Sequence, residues 1–500
     1  MKSSSPGWDG TKMELLKEVK DFLSVPLSHL INLSMEQGIV PDELKLARVV
    51  PIFKSGDKTQ TLNYRPISVL PSLSKLFERV IHNRISKFLE KYKILYAYQF
   101  GFRKDHSTCL ATSYLVDKIT KALDDKEYFL SVFLDLSKAF DTVNHNILLI
   151  KLAHYGIRGS ALNWFKSYLS NRKQFVEINA SKSNTQNIAC GVPQGSILGP
   201  LLFFIYINDL PNASNILKTL NFADDTTLFF KDKCINNLQI TMNQELKKIV
   251  QWLTANQLSL NIKKTCAMLF STKSSVTNSL NICINNEIVP FVDQFKFLGV
   301  VFDKGLHWKL HIDVISCKIA KSTGIINKVK HKLNYSTLIT FYYLFVYPYL
   351  NYCNTIWGNA ALKHVNGLHL LQKRIVRLIF NAGFHDHTKE LFVTAKIVNI
   401  FDLYKFNVLL LMFKHFKNLL PPIFDEIFLF QPEQSRYPKR QKSVYQVVFC
   451  RTELRKKTIV YTGPSYFNNF VTNSFVDLTI IYTVSSFRKC VLSSLFSDLS

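Results

Sequence analysis

No Cys-x-x-Cys pair occurs among the nine cysteines of this 500-residue sequence. That absence excludes zinc fingers of ordinary spacing and disfavours a disulfide scaffold, leaving reduced thiols in an intracellular setting as the plain reading. Long apolar runs are missing too. The densest, Leu201–Ile207 and Phe341–Leu350, fall well short of the ~20 residues a spanning helix needs. The start, Met1-Lys2-Ser3-Ser4-Ser5-Pro6-Gly7, has no apolar core of a secretory signal. Neither an internal repeat nor a long low-complexity tract is present. Acidic residues are scarce: 36 Asp and Glu face 62 Lys and Arg, a formal net charge of +26. Nucleic acid is the usual polyanionic partner of such a surplus, a very soluble surface the alternative. A hydrophobic fraction of 47% rules out disorder as the dominant state, and the length allows about three domains or one multi-part enzyme.

What is present divides the chain. Glu14 to Met35 reads as helical, broken near Pro26, and Ala47–Phe53 as a short strand closed by the turn Lys54-Ser55-Gly56-Asp57. Leu73 to Tyr92 has helical periodicity with Leu76, Val80, Ile81, Ile85 and Leu89 on one side. Phe129–Leu134 is an almost unbroken apolar run ending in Asp135, as expected of a buried strand with a carboxylate at its tip. Leu217–Ala223 and Thr226–Phe230 predict a hairpin holding Asp224 and Asp225 in its turn. Helix Asn237–Gln257 and strands at Cys266–Phe270 and Phe295–Phe302 follow. From Lys304 to Phe380 eleven Lys and Arg meet one acid, Asp313. There Leu368, Leu371, Ile375 and Leu378 form an apolar helix face, with Lys373, Arg374 and Arg377 off it. That basic face suits a phosphate backbone, a partner, a membrane surface or plain solvation. Further basic clusters lie at Arg436–Lys442 and Arg451–Lys457.

An ionised Asp beside apolar neighbours is costly unless compensated, and a divalent cation compensates it directly. Asp135 at a strand end and Asp224 with Asp225 at a hairpin tip are candidates to converge across 89 positions. Hard oxygen ligands select Mg²⁺, and two such ions clamp the attacking and leaving oxygens of a phosphoryl transfer. An Asp-Asp pair is otherwise simply a turn.

Three motifs make the sequence recognisable: Phe133-Leu134-Asp135-Leu136-Ser137-Lys138-Ala139-Phe140-Asp141, Gly191-Val192-Pro193-Gln194-Gly195-Ser196, and Phe222-Ala223-Asp224-Asp225. In this order and spacing they closely resemble the palm motifs of reverse transcriptases. Asn63–Ser68, Gln99–Arg103, Leu258–Thr265 and Phe297–Val300 continue the pattern, and Tyr349–Tyr352 with Leu371–Arg374 extend it into the thumb. The set is most similar to non-LTR (LINE-type) retrotransposons of the jockey-like branch. Phe222 stands where many relatives carry Tyr.

The resemblance implies an α+β right-hand polymerase with fingers, a ferredoxin-like palm and a helical thumb, synthesising DNA on an RNA template. It assigns residues 1–45 to an N-terminal extension of the polymerase region, 46–303 to fingers and palm, 304–390 to a basic helical thumb, and 391–500 to a mostly helical C-terminal region of unknown role. Asp135, Asp224 and the Leu136 carbonyl would hold two Mg²⁺ ions, with Mn²⁺ as substitute, and Asp225 would support them. Lys54 and Arg65 would grip the triphosphate of the dNTP, Gln194 would hydrogen-bond beside it, and Lys264 would protonate the departing pyrophosphate. Phe140 matches the position whose ring excludes a ribose 2′-hydroxyl. Gly191, Pro193 and Gly195 would let backbone approach the template–primer, while Lys373, Arg374 and Arg377 would track its phosphates. The implied partners are an RNA template, a DNA primer or target and dNTPs, without a membrane. The nucleus is the expected site of target-primed synthesis and the cytoplasm the alternative, with Pro438–Lys442 a weak nuclear signal. An upstream endonuclease, a ribonuclease H acid set and a zinc knuckle are not found, which suggests a 5′-truncated copy or one whose gene boundaries are drawn too short, either retaining a complete polymerase core. A decayed or domesticated copy that only binds nucleic acid is the alternative reading.

Overall fold

The computed structural model describes residues 5–179, 181–272, 280–431, 444–473, 478 and 480–497. The basic cluster at 436–442, including Pro438–Lys442, therefore lies outside the described residues. Strand β1 (Leu46–Phe53) pairs antiparallel with β2 (Tyr64–Val69), forming a hairpin. On its other side β1 takes a parallel partner, which arrives 120 residues later in the chain and is named below. Strand β3 (Tyr128–Leu134) is buried at every position, which explains its almost unbroken apolar sequence: both faces of its sheet are covered. The parallel partner of β1 is β4 (Lys173–Ile178). Then come β5 (Lys218–Phe222), β6 (Asp225–Asp232) and β7 (Cys266–Phe270).

The four-stranded sheet runs β5-β6-β3-β7, antiparallel throughout. In the sheet's own chain order this is 2-3-1-4 with helical crossovers, the ferredoxin-like arrangement. Its first crossover carries β4 out to the β1–β2 hairpin, so the fingers sheet combines two strands that precede the palm with one inserted between palm strands. Alternate residues of β3 feed two cores. Phe129 and Phe133 join one, with helix Thr108–Asp124; Leu130, Val132 and Leu134 join the other, with helices Gly199–Ile207 and Ile235–Ala255.

Several elements differ from the sequence expectation. The N-terminal helix breaks at Val19 rather than at Pro26, which sits inside helix Lys20–Gln37. Helix Ser72–Lys91 buries Ser74, Phe77, Glu78 and Ile81 instead of a purely apolar stripe, because Glu78 finds partners there. It accepts from the Tyr168 hydroxyl at 2.6 Å and from the Ile197 amide at 2.6 Å. Phe295–Phe302 is not one strand but a hairpin, β8 (Gln294–Phe297) and β9 (Val300–Asp303). Leu298 and Gly299 both take positive φ, 44° and 86°, and turn the chain back.

Beyond β9, helix Lys309–Val329 packs along helix Leu362–Phe380. The buried face of the latter is Val365, Leu368, Gln372, Ile375, Val376 and Ile379, with Leu371 and Leu378 only half-buried. Gln372 belongs in this core because its amide is fully used: it donates to the Tyr342 hydroxyl at 2.8 Å and the Val398 carbonyl at 2.9 Å, and accepts from the Ile400 amide at 3.0 Å. Helix Ile400–Phe416 packs on Ile459–Asn473 and Val484–Ser497. A single buried cluster runs from Phe129 in the palm to Leu495, so the 390/391 boundary falls inside continuous packing. No helix among the described residues is long and apolar enough to cross a membrane.

Candidate active site

β3 delivers Asp135 to the end of the palm sheet, and the adjacent loop sews it in place. The Asp135 amide donates to Thr265 Oγ1 at 3.3 Å, and the Asp135 carbonyl accepts from the Asn261 amide at 2.8 Å. The Ser137 amide reaches the Ser259 carbonyl at 2.8 Å, which brackets a β-bridge between Leu136 and Leu260. Those bonds use the carbonyls of Asp135 and Ser259, not that of Leu136. Lys264 emerges from the same loop as an exposed side chain, its amide bonded to the Asn261 carbonyl at 3.0 Å.

The second carboxylate pair comes from the β5–β6 hairpin. Its tip is a two-residue loop, Ala223-Asp224, closed by the Phe222–Asp225 pair, so Asp225 begins a strand rather than sharing the turn. Ala223 sits at φ 58°, a left-handed conformation that costs a non-glycine residue and needs outside support. Gln99 supplies it: its side-chain oxygen accepts from the Ala223 amide at 3.1 Å and the Gly101 amide at 3.0 Å. Phe100 and Asn221 add backbone bonds along the outer edge of β5. A Cβ on Gly101 would stand 2.4 Å from the Ala223 nitrogen. The sequence carried the signal for this support only as the Gln99–Arg103 motif, with no role attached.

The three carboxylates act on one another. Burial raises Asp224 above the ordinary carboxylate range and Asp135 adds to the shift, while Arg65 and Lys54 pull it back. Asp225 is pushed up to about 6, first by burial of its flank and then by the charges of Asp224 and Asp135. Asp225 nonetheless keeps solvent access at the hairpin edge. The opposing cations come from the fingers: Arg65 is the second residue of β2, opposite Ile52, and Lys54 directly follows β1. Both are exposed. Chain segments far apart in sequence thus bring Asp135, Asp224, Asp225, Lys54 and Arg65 into one electrostatic neighbourhood.

The Gly191–Ser196 loop lies against the fingers, and its glycines face the chain itself. Gly191 is buried at φ 86°, and a Cβ there would meet the Asp141 carbonyl at 2.6 Å; on Gly195, at φ 113°, it would meet the Ser68 carbonyl at 2.8 Å. Pro193 is buried. At Gly191 and Gly195 a close approach is made by the protein's own backbone, which gives both glycines a reason within the fold. Gln194 donates through Nε2 to Asp141 Oδ1 at 2.9 Å, and its carbonyl accepts from the Ser68 amide at 2.7 Å. It is therefore tied to the palm rather than free. Gly191→Ala should lower the melting temperature by several degrees, because the new methyl has both a forbidden φ and a backbone clash to overcome. A thermal melt checks this; an unchanged melting temperature with weakened template binding would return the residue to the nucleic-acid surface.

Phe140 is half-buried, its ring stacked on Phe203 at 4.6 Å between centroids. Lys373 and Arg374 lie outside the buried face of helix Leu362–Phe380. Arg377 does not stand free for phosphate: its Nε and Nη2 donate to the Asp386 carbonyl at 3.0 and 2.8 Å, tying down the loop after the helix.

Among the described residues no three His, Cys, Asp or Glu side chains are grouped to hold a metal by themselves. Magnesium does not require that, since it takes one or two carboxylates, keeps waters and accepts substrate phosphates. Asp135, Asp224 and the Leu136 carbonyl fit this all-oxygen set. The raised carboxylates are the electrostatic signature of a cluster that a cation would relieve.

Residues 54–302 match the family model described as reverse transcriptase (RNA-dependent DNA polymerase), a family that generally uses divalent metal ions. The chain is 30% identical over 411 residues to a probable RNA-directed DNA polymerase from transposon X-element of Drosophila melanogaster, covering 80% of this chain and 45% of that protein. It is 29% identical to the RNA-directed DNA polymerase from mobile element jockey of Drosophila funebris, covering 80% and 44%. The chain thus spans less than half the length of these relatives. A solved telomerase from Candida albicans is more remote, with a TM-score of 0.37 at 12% identity over 72% of this chain and 66% of that one; the palm topology rests on its own strand order.

Proposed function

The chain carries a reverse transcriptase domain similar to those of non-LTR retrotransposons, and from that premise we propose that it extends a primer 3′-hydroxyl with dNTPs along an RNA template. The observation that carries the reading is the meeting of Asp135 with the Asp224–Asp225 hairpin at one end of the palm sheet, under the field of Arg65 and Lys54.

Each residue then has a task its chemistry suits. Asp135 and Asp224, with the Leu136 carbonyl, would hold Mg²⁺, or Mn²⁺ in its place, and Asp225 would support them from the hairpin. When bound, two such ions neutralise the phosphates and activate the attacking hydroxyl. Arg65 grips the triphosphate with paired N–H groups and Lys54 adds a point charge. Lys264 holds a proton for the leaving pyrophosphate as a general acid. Gln194, anchored on Asp141, keeps the Gly191–Ser196 loop in register beside the nucleotide. Lys373 and Arg374 meet backbone phosphates, so template–primer affinity falls steeply with salt.

Phe140 chooses the sugar: its ring, held by Phe203, occupies the space a 2′-hydroxyl would need. Phe140→Val should raise rNTP use relative to dNTP by about tenfold or more, measured as the ratio of kcat/KM values for the two nucleotides. An unchanged ratio would remove Phe140 from this role.

Primer extension on an RNA template with Mg²⁺ and dNTPs, beside an Asp224→Ala control, tests the function directly. Extension that vanishes in the control supports the polymerase. A folded wild-type protein that binds template–primer but adds no nucleotide would instead favour a binding-only protein.

A further inference from the structure

Two cysteines far apart in sequence meet where palm helix Thr108–Asp124 touches the helical region beyond β9. Cys109 is the second residue of that helix, and Cys353 lies in the turn before the short helix Asn354–Trp357. Both are free thiols, Cys353 buried and Cys109 half-buried. Their side chains are hydrogen-bond partners of each other. Thr355 closes the group from the same turn: its hydroxyl oxygen stands 3.2 Å from Cys109 Sγ across 246 positions of sequence. Thiols already in hydrogen-bond contact need only a small further approach to reach a disulfide bond of about 2.0 Å.

Both backbones are anchored where the thiols meet. On the palm side Ser107 caps the helix, its Oγ accepting from the Leu110 amide at 3.2 Å. On the other side all four residues of Asn354–Trp357 are buried. Asn354 Nδ2 donates to the Leu350 carbonyl at 3.1 Å, and Trp357 Nε1 donates to the Tyr352 carbonyl at 3.0 Å. Cys353 itself takes φ 50°, a left-handed conformation that costs a non-glycine residue and persists only where its surroundings hold it. The pair is therefore a fixed feature of the seam rather than a chance encounter.

The two thiols differ in reactivity. Hydrogen bonding from Cys353 holds Cys109 down to about 7 against the opposing effect of burial, and Thr355 assists. Cys353 is pushed well above the ordinary thiol range, first by its bond to Cys109 and then by burial. Cys109 is thus the nucleophile of the pair and the more accessible of the two, while Cys353 keeps its proton.

We propose that Cys109 and Cys353 form a peroxide-oxidisable disulfide site that locks palm helix Thr108–Asp124 to the helical region beyond β9. The Cys109 thiolate attacks one oxygen of hydrogen peroxide; the O–O bond breaks, the departing hydroxide takes a proton from solvent, and Cys109 becomes a sulfenic acid. The Cys353 sulfur then attacks the sulfenic sulfur. The S–O bond breaks, an S–S bond forms, and the hydroxyl leaves with the Cys353 proton as water. Two thiols lose two electrons, one peroxide becomes two waters, and a dithiol reverses the bond by exchange. Nothing in this chemistry depends on the polymerase reading above.

The test treats the reduced, desalted full chain with hydrogen peroxide at neutral pH and maps its peptides without reductant. The linked Cys109–Cys353 peptide should be the main disulfide within the chain, and the melting temperature should rise by about 3–6 °C, because the bond closes a very long loop of the unfolded chain. Dithiothreitol should undo both. Cys109→Ser and Cys353→Ser should each lose the linked peptide and the rise, whereas Cys317→Ser, at an exposed thiol, should keep them. If Cys353→Ser fails to fold at its buried turn, Cys109→Ser decides alone. A folded wild-type chain that yields no linked peptide overturns the proposal. So does a rise that survives Cys109→Ser, and so does a linked peptide with no rise, which would be a bond that locks nothing.

Discussion

Replacing Asp224 by asparagine should abolish RNA-templated primer extension, by about a thousandfold or more, while leaving the metal-free protein at least as stable as the wild type. The two effects have opposite signs because the carboxylate cluster is strained without its cation. Burial and the neighbouring Asp135 raise Asp224, and burial with both neighbours raises Asp225 to about 6. A carboxylate whose pKa is raised by folding stabilises the protein only while protonated. That contribution is complete below the ordinary value of 3.8 and is lost as the pH rises through about 6. At pH 7 to 8 the metal-free wild type therefore carries repulsion that Asp224→Asn relieves, and the variant should melt roughly 1–3 °C higher. At pH 4 the difference should vanish. Magnesium should reverse the order at pH 7, raising the wild-type melting temperature by mass action and the variant's much less. Scanning calorimetry at pH 4 and 7.5, with and without Mg²⁺, reads all of this independently of catalysis. A variant less stable than the wild type at pH 7.5 without metal would mean that Asp224 holds the hairpin together rather than straining it.

How much of this site could be read from the sequence depends on what kind of residue carried the message. Apolar runs were reliable where both faces of a strand are covered, as in β3, where only the small Ser131 interrupts the run. The same criterion failed at Phe295–Phe302, where an apolar run continues through a turn. Leu298 hides the reversal, since its conformation is imposed by Tyr352 from elsewhere in the chain. Buried polar residues failed for a related reason. Glu78 and Gln372 are core residues only because Tyr168, Ile197, Tyr342 and Ile400 satisfy them, and no local pattern announces partners 28 to 119 positions away. The convergent carboxylates were legible because charge at the end of an apolar strand is costly without compensation. The supporting Gln99 was not, because a glutamine in a loop resembles any other.

Positive charge was the least legible feature, and Arg455 shows why with a large expected effect. In the sequence it belongs to a basic cluster, Arg451–Lys457, that suits nucleic acid as well as solvent. In the fold it is buried against Asp117 of palm helix Thr108–Asp124, with Nη2 3.2 Å from Asp117 Oδ1. Its Nη1 reaches the Asp117 carbonyl at 3.1 Å and Thr120 Oγ1 at 3.3 Å. Arg451 is spent similarly, donating to the carbonyls of Asp124 and Leu123 at 2.8 and 3.0 Å, where it caps the same helix. Desolvation raises Asp117 and the Arg455 guanidinium opposes that shift. Arg455→Met removes the opposition and leaves a buried carboxylate uncompensated, so it should destabilise the protein by about 3–5 kcal/mol. With Asp117 raised further, that deficit is largest at neutral pH and should shrink as the pH falls and the carboxyl protonates. The double variant Asp117→Leu, Arg455→Met should recover most of the loss, since a buried pair exchanged for apolar groups of similar size is close to neutral. Urea melts of the two single variants and the double at pH 5 and 7.5 measure each term. If the double is as unstable as Arg455→Met, packing rather than charge carries the contact. Because helix Thr108–Asp124 supports β3 and hence Asp135, Arg455→Met should also inactivate extension at a lower temperature while leaving kcat nearly unchanged where the protein stays folded. That combination distinguishes a strut of the palm from a contact with nucleic acid, whose loss would instead weaken template–primer binding at every temperature.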